Sequence, residues 1–469
     1  MQIRGSGSKV EVRAWGPVAF DPDLVAVALG ERPLALPEQD RVLAPFITVD
    51  GRVHAPTSNF LRHYCMARPD LATARRIASD LKGWLAYLIN QRHLHPHEDG
   101  RDPVFAATEE DLAAYYRLRQ YGPADQQLTP DAWGKAASAI KRLYEHLQYQ
   151  YQHAPPFEII TVSRPGHWTG TTIAKYRPRR RKTGSAGTPL TPEFAQLLLM
   201  GALRVDLSGQ QLAYRGADRD HALLAMGLAT GLRHNNLAHV TVYELPRPTP
   251  RPLSVMRVAD SITKLGAGGD TLVFTHYLPA IWGYVDGARA ELTTRRPYRP
   301  ADPLHIVDAD AGSLRYEDPT HPGNVHIRRW TDCDEQFRRR LVDTDGSTPI
   351  VFLNELTAQP LAYRSLQHSI EGARQFAREH LNPAFPAHAR LHDLRHTYAV
   401  HLTIAIYRDA LAAVLPEDRR DDWRVDRIAG AVELVKSCLG HASEASTRLY
   451  IQTAHRFLDI PLNQFLGAV

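Results

Sequence analysis

Cysteine is scarce: Cys65, Cys333 and Cys438 are the only three in 469 residues. Dispersed and odd in number, they exclude a disulfide framework and fit a reducing compartment. No stretch approaches the roughly 18 apolar residues of a membrane span. Residues 1–9, with Gly5, Ser6, Gly7 and Ser8, lack the apolar core of a secretory signal, so a cytoplasmic protein is expected. Neither sign of charge dominates, with 56 Lys+Arg against 51 Asp+Glu and a formal net charge of +5. Such a balance permits nucleic acid as a partner without requiring it, and what matters is where the cations cluster. No glycine-rich loop opens into a Lys-Ser/Thr helix start, and no Cys/His set has metal-ligand spacing. Neither a nucleotide nor a metal or other cofactor is expected. His93, His95 and His97 flank Pro96 in polar surroundings and read as a surface loop.

What is present is a globular composition, 43% hydrophobic and 23% charged, at a length that suits two domains with extensions. Residues 1–55 alternate briefly at Val10, Val12 and Ala14 and are broken by Pro17, Pro22, Pro33 and Pro37, which marks an irregular and extended lead-in of unknown function. Over 56–152 the period becomes helical. Ile77, Leu81, Trp84, Leu85 and Leu88 line one face, Thr108 with Asp111 forms a capping box, and Thr129-Pro130 opens a helix whose inward residues are Ile140, Leu143, Tyr144 and Leu147. Residues 153–190 form a linker. Lys175, Arg177, Arg179, Arg180, Arg181 and Lys182 crowd into it, with no acid between Arg164 and Leu190. A tract like this is either a solvated connector or a strap across a phosphate backbone, where each neutralised phosphate releases counterions. Its place between two folded domains favours the strap.

The second domain, 191–469, opens at Thr191-Pro192-Glu193. Within it, 253–279 reads as a hairpin in which Val255, Arg257 and Ala259 lead to Lys264, a turn with Gly266, Gly268 and Gly269, and a return through Thr271, Val273 and Phe274. Residues 290–335 are polar and proline-rich and read as a surface insertion. Helical periodicity returns at 366–381, 391–406 and 427–439.

Three strings carry the chemistry: Thr230-Gly231-Leu232-Arg233, His392-Asp393-Leu394-Arg395-His396-Thr397, and Leu439-Gly440-His441 followed by Tyr450. Each alone is ordinary. A His-x-x-Arg pair is usually a solvated helix face, and a tyrosine near a C-terminus is usually packing. As an ordered set, with the basic tract upstream, they resemble the tyrosine recombinase (phage integrase) family over roughly 56–455. The resemblance implies a mainly α fold with a small β component, in which an all-helical, SAM-like core-binding domain precedes an α+β catalytic domain. It implies that Tyr450 attacks a DNA phosphodiester, that Arg233 and Arg395 bind its non-bridging oxygens, and that His392 assists proton transfer. His441 then donates a hydrogen bond to the phosphate, and Lys264 is the acid for the 5′-oxygen. Duplex DNA is the implied partner and a homo-tetramer the implied assembly, associated with the nucleoid. Two features depart from the family: Asn236 replaces the usual acid three residues after the first arginine, so the orientation of Arg233 must rely on another group, and the spacing from Arg395 to Tyr450 is long, with the excess expected within 408–427. A telomere resolvase or type IB topoisomerase-like strand transferase, and a non-catalytic DNA-binding regulator on the same scaffold, are the alternatives.

Overall fold

The computed structural model describes residues 8–14, 44–67, 71–94, 102–162, 170–176, 189–263, 268–321, 323–412, 433–439, 453–454, 457 and 460–466. The chain divides into two units, Met1–Thr183 and Gly184–Val469. Among the described residues no helix is long and apolar enough to cross a membrane.

In the first unit, β1 (Val10–Ala14), β2 (Pro45–Val49) and β3 (Arg52–Val53) form an antiparallel sheet with Val10 opposite Val49. Val10, Ile47 and Val49 enter the same core as the helices that follow, so the described strands of the lead-in pack as part of this unit. Those helices are α1 (Ala55–Ala67), α2 (Leu71–Arg92), the single turn α3 (Pro103–Ala106), α4 (Glu109–Tyr121) and α5 (Pro130–Tyr151). The apolar stripe of α2 is buried as its spacing requires, and Trp84, Tyr87, Tyr115 and Trp133 interlock through ring contacts of 5.1–5.8 Å. Thr108 and Asp111 exchange both bonds of a capping box, and Thr129 Oγ1 accepts from the Ala132 amide with Pro130 at the first helical position. Tyr144 is buried on α5, and its hydroxyl donates to the Val104 carbonyl at 2.9 Å, which makes the burial of a polar tip tolerable. Beyond α5, the segment read as a linker contains an antiparallel hairpin, β4 (Ile159–Val162) with β5 (Gly170–Ile173). Trp133 Nε1 donates to the Tyr176 carbonyl at 2.8 Å, which ties the hairpin's exit to α5.

The second unit begins with α6 (Pro192–Leu203), capped by Thr191, followed by α7 (Ala217–Thr230) and the short α8 (His234–His239). β6 (Leu253–Val258) pairs antiparallel with β7 (Gly269–Phe274), with Leu253 opposite Phe274 and Val258 opposite Gly269. Next come α9 (Leu278–Tyr284) and α10 (Ala290–Arg295). The segment read as a polar insertion folds into a module of its own that runs past residue 335: β8 (Leu304–Ala309), β9 (Ser313–Glu317), β10 (Val325–Arg329), α11 (Glu335–Arg340) and β11 (Leu341–Val342). Its sheet has the order β10-β9-β8-β11. Leu304, Ile306, Leu314, Trp330, Phe337 and Leu341 form a separate small core there. Alternation of these residues with His305, Arg315 and other polar groups gives the segment its polar average and hides the strands. The unit closes with α12 (Tyr363–Phe376), α13 (Leu391–Ala412) and α14 (Leu462–Leu466). Most of 408–427 lies outside the described residues. The whole is mainly helical with a small β component.

Near the end of the sequence, Phe457 and Phe465 sit in one core with Tyr398 and Leu402 of α13. His401 stands edge-on to Phe465 at 5.0 Å, and its Nε2 lies 2.9 Å from the Leu190 carbonyl. Since a carbonyl only accepts, Nε2 carries the proton. Burial pushes this imidazole from 6.5 down to about 4, with His276 adding a smaller push in the same direction. The unfolded chain therefore takes up a proton that the folded chain refuses. This contribution to stability is complete above pH 6.5 and is lost as pH falls toward 4, with a slope of up to about 1.4 kcal/mol per pH unit. Urea midpoints measured across that window should fall with pH, and His401→Gln should flatten the fall; an unaltered profile would contradict this account.

Candidate active site

The first arginine is placed by a forced turn. At the end of α7, Thr230 Oγ1 donates to the Met226 carbonyl at 2.6 Å and accepts from the Leu232 amide at 3.3 Å. Between them Gly231 adopts φ +61°, and a Cβ there would lie 2.3 Å from Cδ1 of Tyr398. Glycine is thus required twice, by conformation and by the ring packed against it. Leu232 is buried, and Arg233 follows as the extended residue that opens α8.

Arg395 is the fifth residue of α13 and is only 5% exposed. Its Nη1 donates to the Gly231 carbonyl at 2.8 Å and its Nη2 to the Leu439 carbonyl, at the end of the helical segment 433–439. One guanidinium therefore joins all three sequence strings. Tyr398, one turn further along α13, donates to the Leu272 carbonyl at 2.7 Å and lies 3.2 Å from Thr271 Oγ1, which fixes the hairpin to the same helix.

His392 is exposed at the start of α13, three residues before Arg395. Its pKa is lowered, first by partial desolvation and then by the positive charges of Arg395 and Arg233, so both arginines act on this imidazole. The His396 ring meets it edge-on at 4.5 Å and is pushed down to about 4 by burial, followed by His392 and Arg395. His234 is lowered by burial, His392 and Arg233. The imidazoles around the two guanidiniums are therefore held toward the neutral form, able to accept a proton.

A cleft of about 340 Å³ opens here, lined by Arg233, Asn236, Thr263, Gly268, Arg395 and Cys438 among others. Gly268 is required by close approach, since a Cβ would stand 2.6 Å from the Val258 carbonyl. Asn236 is 3% exposed, and among the described residues its Oδ1 has no hydrogen-bond partner. Among the described residues no group of three or more His, Cys, Asp or Glu side chains is arranged to hold a metal ion.

Of the expected site residues, Arg233, His392 and Arg395 are brought together. Lys264, His441 and Tyr450 lie outside the described residues; Thr263, next to Lys264 in sequence, and Leu439, two before His441, line the cleft. In the basic tract, Lys175 Nζ is 2.8 Å from Glu109 Oε1 on the exposed surface of the first unit, while Arg177, Arg179, Arg180, Arg181 and Lys182 lie outside the described residues. Sequence reasoning missed Tyr398 and the two carbonyls that receive Arg395. The single signal for Tyr398 was its place one turn after Arg395.

No family model and no curated protein matches the chain. Among solved structures it is similar to the XerH site-specific recombinase bound to difH substrate, with 13% identity over 84% of this chain and 81% of that one and a TM-score of 0.46. It is also similar to the Tn1549 transposon integrase in complex with transposon right end DNA, at 12% identity over 84% and 94% with a TM-score of 0.41. A lambda integrase dimer bound to a COC′ core site gives 11%, 84% and 94%, with a TM-score of 0.41.

Gly231→Ala should destabilise the protein by about 2–4 kcal/mol, the combined cost of a left-handed alanine and an overpacked ring contact. Denaturant unfolding of the full chain measures it, and a mutant as stable as the parent would refute the forced turn.

Proposed function

We propose that this chain is a site-specific DNA recombinase, the integrase or transposase of a mobile element, working through a 3′-phosphotyrosine intermediate. The observation that carries the reading is the Arg395 guanidinium, which draws the Arg233 turn and Leu439, the first residue of the Leu439-Gly440-His441 string, to one cleft beside His392. Phosphoryl transfer needs cations around a crowded phosphorus. Guanidinium stays charged and presents planar pairs of N–H groups to two non-bridging oxygens, which lysine does not.

In the proposed reaction the Tyr450 oxygen bonds to phosphorus and the bond to the 5′-oxygen breaks. The phenolic proton passes toward His392, which its surroundings keep in the neutral form. Lys264 protonates the departing 5′-oxygen, and His441 donates a hydrogen bond to a phosphate oxygen. A phosphodiester is exchanged for a phosphotyrosine of similar energy, so attack by a partner strand's 5′-hydroxyl reverses the step without ATP. Duplex DNA would lie against both units, with the basic tract between them along the backbone, and four protomers would form the synaptic assembly in the nucleoid.

Nicked suicide duplexes tiled across the DNA that flanks the gene, incubated without added metal, should yield a detergent-stable covalent adduct. Tyr450→Phe should abolish it while leaving DNA binding intact, and Arg395→Lys should slow it about a hundredfold, equivalent to about 3 kcal/mol of transition-state stabilisation. An adduct formed by the phenylalanine variant would assign the nucleophile elsewhere, and no adduct on any duplex would overturn the reading.

For the basic tract, replacing Arg179, Arg180 and Arg181 by Ala should reduce the slope of log K against log salt by about 0.9 for each phosphate that is no longer neutralised. An unchanged slope would remove the tract from the DNA interface.

A further inference from the structure

The helix that Arg233 opens is only six residues long, too short to persist by its own hydrogen bonds. The sheet module that follows β7 in sequence holds it at both ends. At the C-terminal end, the fully buried Arg338 of α11 donates Nη1 to the His239 carbonyl at 2.9 Å. It also pairs with Glu244 through Nη1–Oε2 at 2.5 Å and Nη2–Oε1 at 2.9 Å. Its Nε reaches the Cys333 carbonyl and its Nη2 the Trp330 carbonyl, each at 2.8 Å. These five bonds match the five N–H groups of a guanidinium, as burial of this cation demands. A positive charge at this end also complements the helix dipole.

Near the N-terminal end, Asn235 Nδ2 donates to Glu335 Oε1 of α11 and to the Ile262 carbonyl at 3.2 Å. Ile262 lies two residues before Lys264. The neighbouring Ser261 hydroxyl donates to the Cys333 carbonyl at 2.7 Å. The Arg339 Nε–H reaches His239 Nε2 at 3.1 Å, so that nitrogen accepts, and Nδ1–H donates to the Asn235 carbonyl at 2.9 Å. The module thus grips two backbone segments that flank the cleft, the helix behind Arg233 and the turn that leads to Lys264.

We propose that Glu335 is a positioning residue and that the module 304–342 is a buttress setting the spacing between Arg233 and residues 260–262. This rests on the recombinase reading. Arg338 fixes the same helix from its other end, but its loss would strand Glu244 in the interior, so the half-buried Glu335 is the informative position.

Glu335→Ala removes the acceptor for Asn235, and Glu335→Gln retains an oxygen there. On a suicide duplex that the parent protein cleaves, the alanine variant should bind DNA within about twofold of the parent while its single-turnover adduct rate falls about ten- to hundredfold, the cost of small misplacement of a reacting group. The glutamine variant should recover most of that rate. A parental rate in the alanine variant, a loss of binding in step with the rate, or a glutamine variant as slow as alanine would each overturn the proposal. Hydrogen exchange on the free protein gives a second readout that needs no substrate. The Leu237 and Val240 amides, which donate to the Arg233 and Asn236 carbonyls, should exchange faster in Glu335→Ala at an unchanged melting temperature. Unaltered exchange defeats the buttress even if the parent forms no adduct, an outcome that would separately defeat the recombinase reading.

Discussion

A guanidinium removed from water must have its N–H groups met by fixed acceptors, and for Arg395 two of these are the carbonyls of Gly231 and Leu439. The bonds join residues 164 and 44 positions apart in sequence. Both acceptors are neutral, so they hold the side chain without cancelling its charge. The geometry of the cleft follows from this one interaction. Gly231 cannot move without displacing Arg395, and Arg233 is two residues from Gly231. The end of segment 433–439 is drawn in by the same side chain.

Electrostatics around that guanidinium works in one direction. Desolvation comes first for His392, His396 and His234, and neighbouring positive charge adds to it, from both arginines at His392, from His392 and Arg395 at His396 and from His392 and Arg233 at His234, so all three are lowered from their ordinary value. Neutral imidazoles beside permanent cations make a site that attracts an anion while keeping a proton acceptor in reserve.

Rigidity comes from elements outside the motif strings. Tyr398 fastens the hairpin to α13 through Leu272, with its ring filling the space that Gly231 leaves. On the opposite flank, Arg338 and Glu244 form a buried pair whose role is specification more than net stability, since such a pair costs much of what it gains. The sheet module could have been a detachable ornament. Its bonds to Asn235, Ser261 and the His239 carbonyl make it continuous with the cleft instead.

The helical stripe of α2, the caps at Thr108, Thr129 and Thr191 and the hairpin 253–279 were all legible in the sequence, because each depends on spacings of a few residues that local physics enforces. The pairing of Arg233 with His392 and Arg395 was legible only as an ordered set of strings. The sheet of 304–342 was hidden because its alternation averages to polarity and its core closes through Trp330 and Phe337, away from the strands. The incorporation of the lead-in into the first core was hidden for a similar reason, as the pairing of Val10 with Val49 spans a stretch that local patterning does not bridge. By itself the sequence determined which helices form and which arginine and histidine side chains are available at the cleft. Only the tertiary structure decided which backbone carbonyls receive Arg395 and which carboxylate steadies the helix behind Arg233, because those partners are chosen by distance in space between residues far apart along the chain.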